Sequence, residues 1–235
     1  MVRYLIVNAD DFGASRGINR GILDAHRHGI VTSTSLMVTT PWSEEAAVLA
    51  RQAPELDIGL HVDLSGTTLE CGTGLFNGEH CDAELRHQVQ RFHALVGRAP
   101  THVDSHHNAH RDARLLPSFL KIAHRHRLPL REHSPARYCS KFYGQWGGET
   151  HLEQIGVRGF ARLLDGEVGE GITELGCHPG YIDPELRSGY VIEREAELRT
   201  LCDPDLPTLL AARRIRLIHF GDLDALARSA GTSDP

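Results

Sequence analysis

The sequence predicts an α/β fold in which about six or seven parallel strands form a TIM-barrel-like sheet, and three observations predict it. Short apolar runs alternate with amphipathic stretches along the 235 residues, the order expected of βαβ units. Polar clusters fall where the predicted strands end, as they do when strand ends supply a site and loops vary it. The length suits one domain, residues 1–228, followed by a flexible tail, 229–235.

Taken in order, Tyr4 to Ala9 reads as a buried strand and Asp10 to Gly13 as the turn leaving it. Ser15 then caps a helix from Arg16 to His28 that ends at Gly29. Ile30 to Val38 is rich in β-branched residues and reads as the second strand, with a helix from Ser43 to Gln52 capped by Ser43. Asp57 to Leu64 is the third strand, Gly66 to Cys81 a long glycine-containing loop, and Asp82 to Val96 a helix stopped by Gly97. A fourth strand, Thr101 to Ser105, precedes a helix from Ala113 to Arg127 and a short strand, Leu128 to Arg131. His133 to Glu149 reads as irregular, Leu152 to Asp165 as helix, and Thr173 to Cys177 and Arg214 to His219 as the closing strands.

Composition narrows the function classes. Lys and Arg number 25 against 31 Asp and Glu, a formal charge of −6, so the basic footprint of a nucleic-acid binder is missing and a small neutral substrate fits better. No stretch approaches the ~20 apolar residues of a membrane span, and the start of the chain does not read as a secretory leader. Five cysteines, odd in number and without CxxC spacing, point away from a disulfide framework or thiolate zinc site and toward a reducing cytoplasm. Histidine is the outlier, with 16 in the chain, and neutral imidazole is the commonest metal ligand.

The polar clusters are Asn8-Ala9-Asp10-Asp11, His61-Val62-Asp63, His102 to His110, and Cys177-His178-Pro179. The strand period of two turns His61 away from the apolar face of Ile58, Leu60 and Val62, and groups His102, Asp104 and His106 opposite Val103. Asp104 is thereby placed to orient an imidazole ligand. Asp10 and Asp11 point to opposite faces of a regular strand, so serving one site requires the chain to turn there, which Gly13 permits. A carboxylate with two imidazoles holds a divalent ion and leaves positions open for water and a carbonyl. Each piece also has an ordinary reading: paired aspartates as a turn, His61 as a buried hydrogen-bonded histidine, His178 as a strand end.

These residues resemble those of the YdjC-like carbohydrate deacetylases. The resemblance rests on Leu5 to Gly13, Gly29 to Ser35, Ile58-Gly59-Leu60-His61, Thr101 to His107 with His110, and Cys177-His178-Pro179, in family order. It implies a distorted (β/α) barrel that removes acetyl groups from small N-acetylated sugars, with one divalent ion on Asp11, His61 and His106 and with Asp10 as general base. It further implies His178 as acid or oxyanion partner. Arg131 is expected to hold Asp10 ionised or to meet the substrate, and Asp104, His110, Tyr143 and Trp146 are expected at the substrate, the last two from a loop, Phe142 to Gly148, suited to sugar stacking. Asn108 stands where the family pattern carries another histidine.

The donor set suits zinc, manganese or cobalt, whereas the family habit is magnesium. The rival readings are hydrolysis of another ester or a phosphoester, against which the missing phosphate loop argues, and a non-catalytic sugar-binding protein. A symmetric homodimer is a further expectation, common among small α/β enzymes.

Overall fold

The computed structural model describes residues 2–65, 67, 78–186 and 188–231. Its central sheet contains β1 (Arg3–Phe12), β2 (Ser33–Leu36), β3 (Asp57–Val62), β4 (Val103–Ser105), β5 (Arg137–Cys139), β8 (Gly171–Cys177) and β9 (Ile215–Leu217). All pairings in it are parallel, in the order β4-β3-β2-β1-β8-β5, with β9 paired to the first half of β1. Leu130 continues the sheet past β4 by a single parallel bridge to Val103. A short antiparallel hairpin, β6 (Gln145–Trp146) and β7 (Glu149–Thr150), stands apart. The sheet curls into an incomplete barrel, the distorted (β/α) arrangement expected.

Around it lie α1 (Arg16–Arg27), α2 (Ser43–Arg51), α3 (Gly78–Val96), α4 (Leu116–His126), α5 (Leu152–Ile155), α6 (Val157–Gly166), α7 (Ile192–Leu201), α8 (Leu206–Ala212) and α9 (Leu223–Gly231). Ser15 caps α1 as expected, its side chain accepting from the Ile18 N–H. Ser43 does not cap α2; its hydroxyl turns back to the Thr40 carbonyl, and Trp42 takes the cap position. The stretch expected as irregular contains β5 and the hairpin, and the single helix expected from Leu152 is split at Gly156. α7, α8 and α9 have no counterpart among the elements expected from the sequence. α7 has no apolar stripe to announce it, because it buries Glu193, Arg194 and Glu197. α3 takes in Gly78 to Cys81 from the loop expected there, and residues 66 and 68–77 lie outside the described residues. α9 runs to Gly231 into the expected tail, whose residues 232–235 are likewise outside them. No described helix is long and apolar enough to cross a membrane.

The period of two divides the sheet chemically. Leu5, Val7 and Ala9 of β1, Ile58, Leu60 and Val62 of β3, and Leu175 and Cys177 of β8 join the helices in one large buried core. Ile6, Ala136, Ile218, Phe220 and Leu223 form a second, small apolar cluster. Ile6 alternates with the residues that face the helices, so this cluster plugs the lower inside of the barrel. His102 stacks on Phe220 with ring centroids 3.8 Å apart. Burial pushes its pKa down to about 4, so it sits in the plug as a neutral ring. Above the plug the inward positions turn polar: Asn8, Asp10, His61, Asp104 and Glu174, all buried.

Gly59 occupies the one inward position of β3 beside that plug. A Cβ there would lie 2.4 Å from His102 Cε1 and Nε2, and the ring is pinned by Phe220. Gly59→Ala is therefore expected to destabilise the fold by about 1–3 kcal/mol, the usual cost of overpacking. The midpoint of urea unfolding measures it, and an unchanged midpoint would mean that the plug yields freely.

Candidate active site

The site begins with an irregularity in β1. The β1–β2 register shifts between Ala9 and Phe12, and Asp11 takes the left-handed conformation with φ 68°. The bulge lets two consecutive carboxylates open into one cleft, as the sequence demanded. The turn sits at Asp11 itself, inside the strand, rather than only at Gly13, whose φ is 97°. A non-glycine residue in this region is strained by roughly 1 kcal/mol or more, so something must hold it. Arg194 does so, its Nη2 2.6 Å from Asp11 Oδ2. Burial works against the ionised Asp11, and Arg194 with the imidazole contacts holds it well below the usual carboxylate range.

Asp11 Oδ1 lies 3.3 Å from His61 Nε2 and 3.1 Å from His106 Nδ1. The other nitrogen of His61, Nδ1, is 2.7 Å from Asp104 Oδ1. With its proton on that side, His61 aims a lone pair at a carboxylate oxygen, a repulsive approach that a cation between them would make attractive. Burial lowers the His61 pKa, but Asp104 and Asp11 outweigh it and push the ring up to about 10, so the pocket favours a positive charge at this point. One ligand atom from each of Asp11, His61 and His106 lies within 4.8 Å of the others, and all three residues line the cleft. The set fits one divalent ion with open positions. A second group, Asp10, His61 and Asp104, meets the same distance test. There the Arg131 guanidinium already neutralises both carboxylates, so that group does not need an ion.

His106 opens a short 3-10 segment, His106–Arg111, in which His107 and Asn108 both have φ 52°. The His107 ring lies against that of His106, centroids 3.9 Å apart and planes tilted by 41°. Two successive left-handed residues fold the loop over the cleft and aim His106 inward from the end of β4.

Arg131 anchors the general-base candidate. Its Nη1 and Nη2 lie 2.8 Å from Asp10 Oδ2 and Oδ1, and its Nε is 2.7 Å from Glu174 Oε1. Nη2 also reaches Asp104 Oδ2 at 2.7 Å. Burial opposes ionisation of Asp10, yet Arg131 more than offsets it and its pKa is lowered. His178 places Nε2 3.9 Å from Asp10 Oδ2, and its Nδ1 has no hydrogen-bond partner among the described residues. Burial pushes the His178 pKa down, leaving a neutral imidazole. Its backbone N–H donates to Glu197, which also accepts from the Tyr190 hydroxyl.

These residues line a cleft of about 690 Å³ at the strand C-terminal ends, large enough for a small sugar. The structure brings Asp10, Asp11, His61, His106 and His178 together there, with Tyr143 on the wall. Tyr143 stacks on Tyr190 at 4.5 Å with the rings 4° from parallel. Three residues expected at the substrate do not meet the cleft. Asp104 is fully buried behind His61, and His110 is fully buried with its Nδ1 2.6 Å from Ser105 Oγ. Trp146 stacks on His151 at 3.7 Å, away from the cleft wall. Arg131 is also buried and does not line the cleft; it touches Asp10 and the ring of Tyr138, which do.

The sequence reading missed Arg194, Glu197, Glu174 and Tyr138. Glu174 was within reach, since parity along β8 puts it on the face of Gly176 and His178. Arg194 and Glu197 sit three apart on one face of α7, a charged spacing that resembles any solvated helix.

The sequence profile of the YdjC-like protein family matches residues 4–212. A carbohydrate deacetylase of Geobacillus stearothermophilus is 39% identical, over 94% of this chain and 98% of its own. A chitooligosaccharide deacetylase of Serratia marcescens is 37% identical, over 95% and 100%. A crystal structure from Enterococcus faecalis V583, of a protein named for cellobiose-phosphate cleavage, superposes with a TM-score of 0.79 at 31% identity, covering 95% of this chain and 99% of that one. Together with the strand-end placement of Asp11, His61, His106 and His178, these matches show that the chain belongs to the YdjC-like protein family.

Proposed function

We propose that this protein is a metal-dependent hydrolase that removes the acetyl group from an N-acetylated sugar, such as an N-acetylglucosamine mono- or oligosaccharide. The observation that carries the reading is the Asp11–His61–His106 donor group opening into the cleft beside an Asp10 kept ionised by Arg131. The names of the relatives, carbohydrate and chitooligosaccharide deacetylase, support the substrate class.

A divalent ion, for which Asp11, His61 and His106 would be the ligands, would supply Lewis acidity toward an acyl carbonyl and lower the pKa of water. One carboxylate with two imidazoles favours zinc, manganese or cobalt over magnesium. The chain's own groups do the rest. Asp10 takes the proton from the attacking water, and Arg131 keeps it an unprotonated base. His178, neutral at rest with Nε2 3.9 Å from Asp10 Oδ2, takes up the proton that Asp10 removed from the water and delivers it to the departing amine, so that Asp10 is again ionised and the ring neutral. Asp104 fixes the tautomer of His61 so that its Nε2 lone pair faces the Asp11 and His106 donors. The stacked Tyr143–Tyr190 pair offers the sugar an apolar face at little entropic cost.

The deciding measurement is acetate release from di-N-acetylchitobiose and N-acetylglucosamine by metal-stripped protein, with Zn²⁺, Mn²⁺, Co²⁺ or Mg²⁺ returned singly. Release restored by an added ion is expected; silence with every ion, once binding is established, would remove the deacetylase reading. Asp10→Asn is expected to keep the ion and lose turnover by about 10²–10⁴-fold, the range for a general base, whereas His61→Ala loses the ion itself. Full activity in metal-loaded Asp10→Asn would assign the base elsewhere. Asp104→Asn is expected to weaken metal affinity by about 10–100-fold while the protein stays folded; calorimetric titration showing wild-type affinity would leave His61 oriented by something else.

A further inference from the structure

Tyr138 is a polar group at the cleft to which the proposed mechanism assigns no role. It lies on β5 between exposed Arg137 and Cys139, whose side chain joins the large core, so the strand period turns its ring into the barrel. There it is in register with Glu174 on β8. The Arg131 guanidinium sits over the ring, 4.4 Å from its centroid, and Arg111 lies 5.8 Å away. Two cations against one aromatic face system fix the ring plane.

The ring's far end reaches Gly176. A Cβ at that position would fall 2.6 Å from the Tyr138 hydroxyl oxygen, 3.0 Å from Cε2 and 3.2 Å from Cζ. The absent side chain is therefore what gives the hydroxyl its place, on the inward face of β8 between Glu174 and His178. Tyr138, Gly176, Asp10 and His178 line the same cleft. Among the described residues, hydrogen bonds are found for Tyr190, whose hydroxyl meets Gly144 N and Glu197, and for Tyr181, whose hydroxyl meets Asp24. Among the described residues no hydrogen bond is found for the Tyr138 hydroxyl. Burial and the carboxylates of Asp10, Glu174 and Asp104 outweigh Arg131 and hold the phenol above its ordinary pKa, so it remains an O–H donor.

A phenol locked in plane, given room by a glycine and, among the described residues, left without an acceptor at the cleft has the geometry of a preorganised donor. We propose that Tyr138 donates its O–H to an oxygen of the bound N-acetylated sugar and is a substrate-contacting residue of this site. The proposal rests on the deacetylase reading, which supplies the sugar.

The test compares wild type, Tyr138→Phe, Gly176→Ala and the double variant, each loaded with the same divalent ion, for acetate release from di-N-acetylchitobiose and for equilibrium binding of that sugar by calorimetry. Tyr138→Phe keeps the ring on Arg131, so thermal stability and metal stoichiometry should match wild type while kcat/KM falls about tenfold, the size of one lost hydrogen bond. Gly176→Ala crowds the hydroxyl out and should lower kcat/KM in wild type, yet cost less when Phe already stands at 138. A loss in KM places the contact in the ground state, a loss in kcat in the transition state, and either supports the donor. Unchanged kcat/KM in Tyr138→Phe, with an active wild type, overturns the donor and leaves the deacetylase reading standing. If wild type binds the sugar without releasing acetate, the deacetylase reading fails alone and the calorimetric difference between wild type and Tyr138→Phe decides the donor. A wild type that neither binds nor hydrolyses overturns both.

Discussion

The Arg131 guanidinium is the interaction on which the interior of this barrel depends. It lies 2% exposed among Asp10, Asp104 and Glu174, with separations of 2.7–2.8 Å to all three. Three carboxylates confined above an apolar plug repel one another and have lost their water, and one cation with a planar fork of donors answers them at once. Removing the cation would strand buried charge at about 3–5 kcal/mol. The compensation is incomplete at Glu174. Burial pushes its pKa up to about 7 despite Arg131, and its Oε2 has no partner among the described residues. The same guanidinium sets the charge of the site: it holds Asp10 ionised while Asp104 remains hydrogen-bonded to His61.

A second cation, Arg194, performs the corresponding task one residue along the chain. Asp11 is held ionised and in a strained backbone conformation by a side chain from α7, 183 residues away in sequence. The two aspartates thus have separate cationic supports. Asp10 is tied from below by Arg131, which never reaches the cleft, and Asp11 from the side by Arg194, which lines it. This division gives neighbouring carboxylates different surroundings, Asp11 facing the imidazoles of His61 and His106 and Asp10 held against Arg131.

The vertical order of the barrel explains why the site is where it is. Phe220 and His102 close the bottom with apolar contact, the ion-paired layer of Arg131 lies above, and the Asp11–His61–His106 group stands at the top, where the strands end and loops begin. Each layer is the same set of inward positions, one or two residues further along each strand. Left-handed backbone at non-glycine residues occurs in the uppermost layer at Asp11, His107 and Asn108, and elsewhere at Arg127, Glu132 and Arg214.

Local chemistry made much of this legible. The alternation of Ile58, Leu60 and Val62 with His61, and of Val103 with His102 and Asp104, is a short-range property of strands, so the inward ligands and the role of Asp104 as an orienting acceptor could be read directly from the residues. The family resemblance carried by Asp10-Asp11, His61, His106 and His178 likewise follows from local motifs. Other features depend on distance. That Asp104 and His110 are buried, that Trp146 turns to His151, that Arg194 and Tyr138 reach the cleft and that Glu197 meets the His178 backbone are settled by contacts between residues remote in sequence. No local periodicity records which remote side chain will neutralise a buried charge or fill the space beside a glycine. Strand parity and apolar pattern are fixed by neighbours in sequence, and so the sequence by itself determined the barrel and the inward donors; charge compensation and shape are fixed by neighbours in space, and only the tertiary structure decided them.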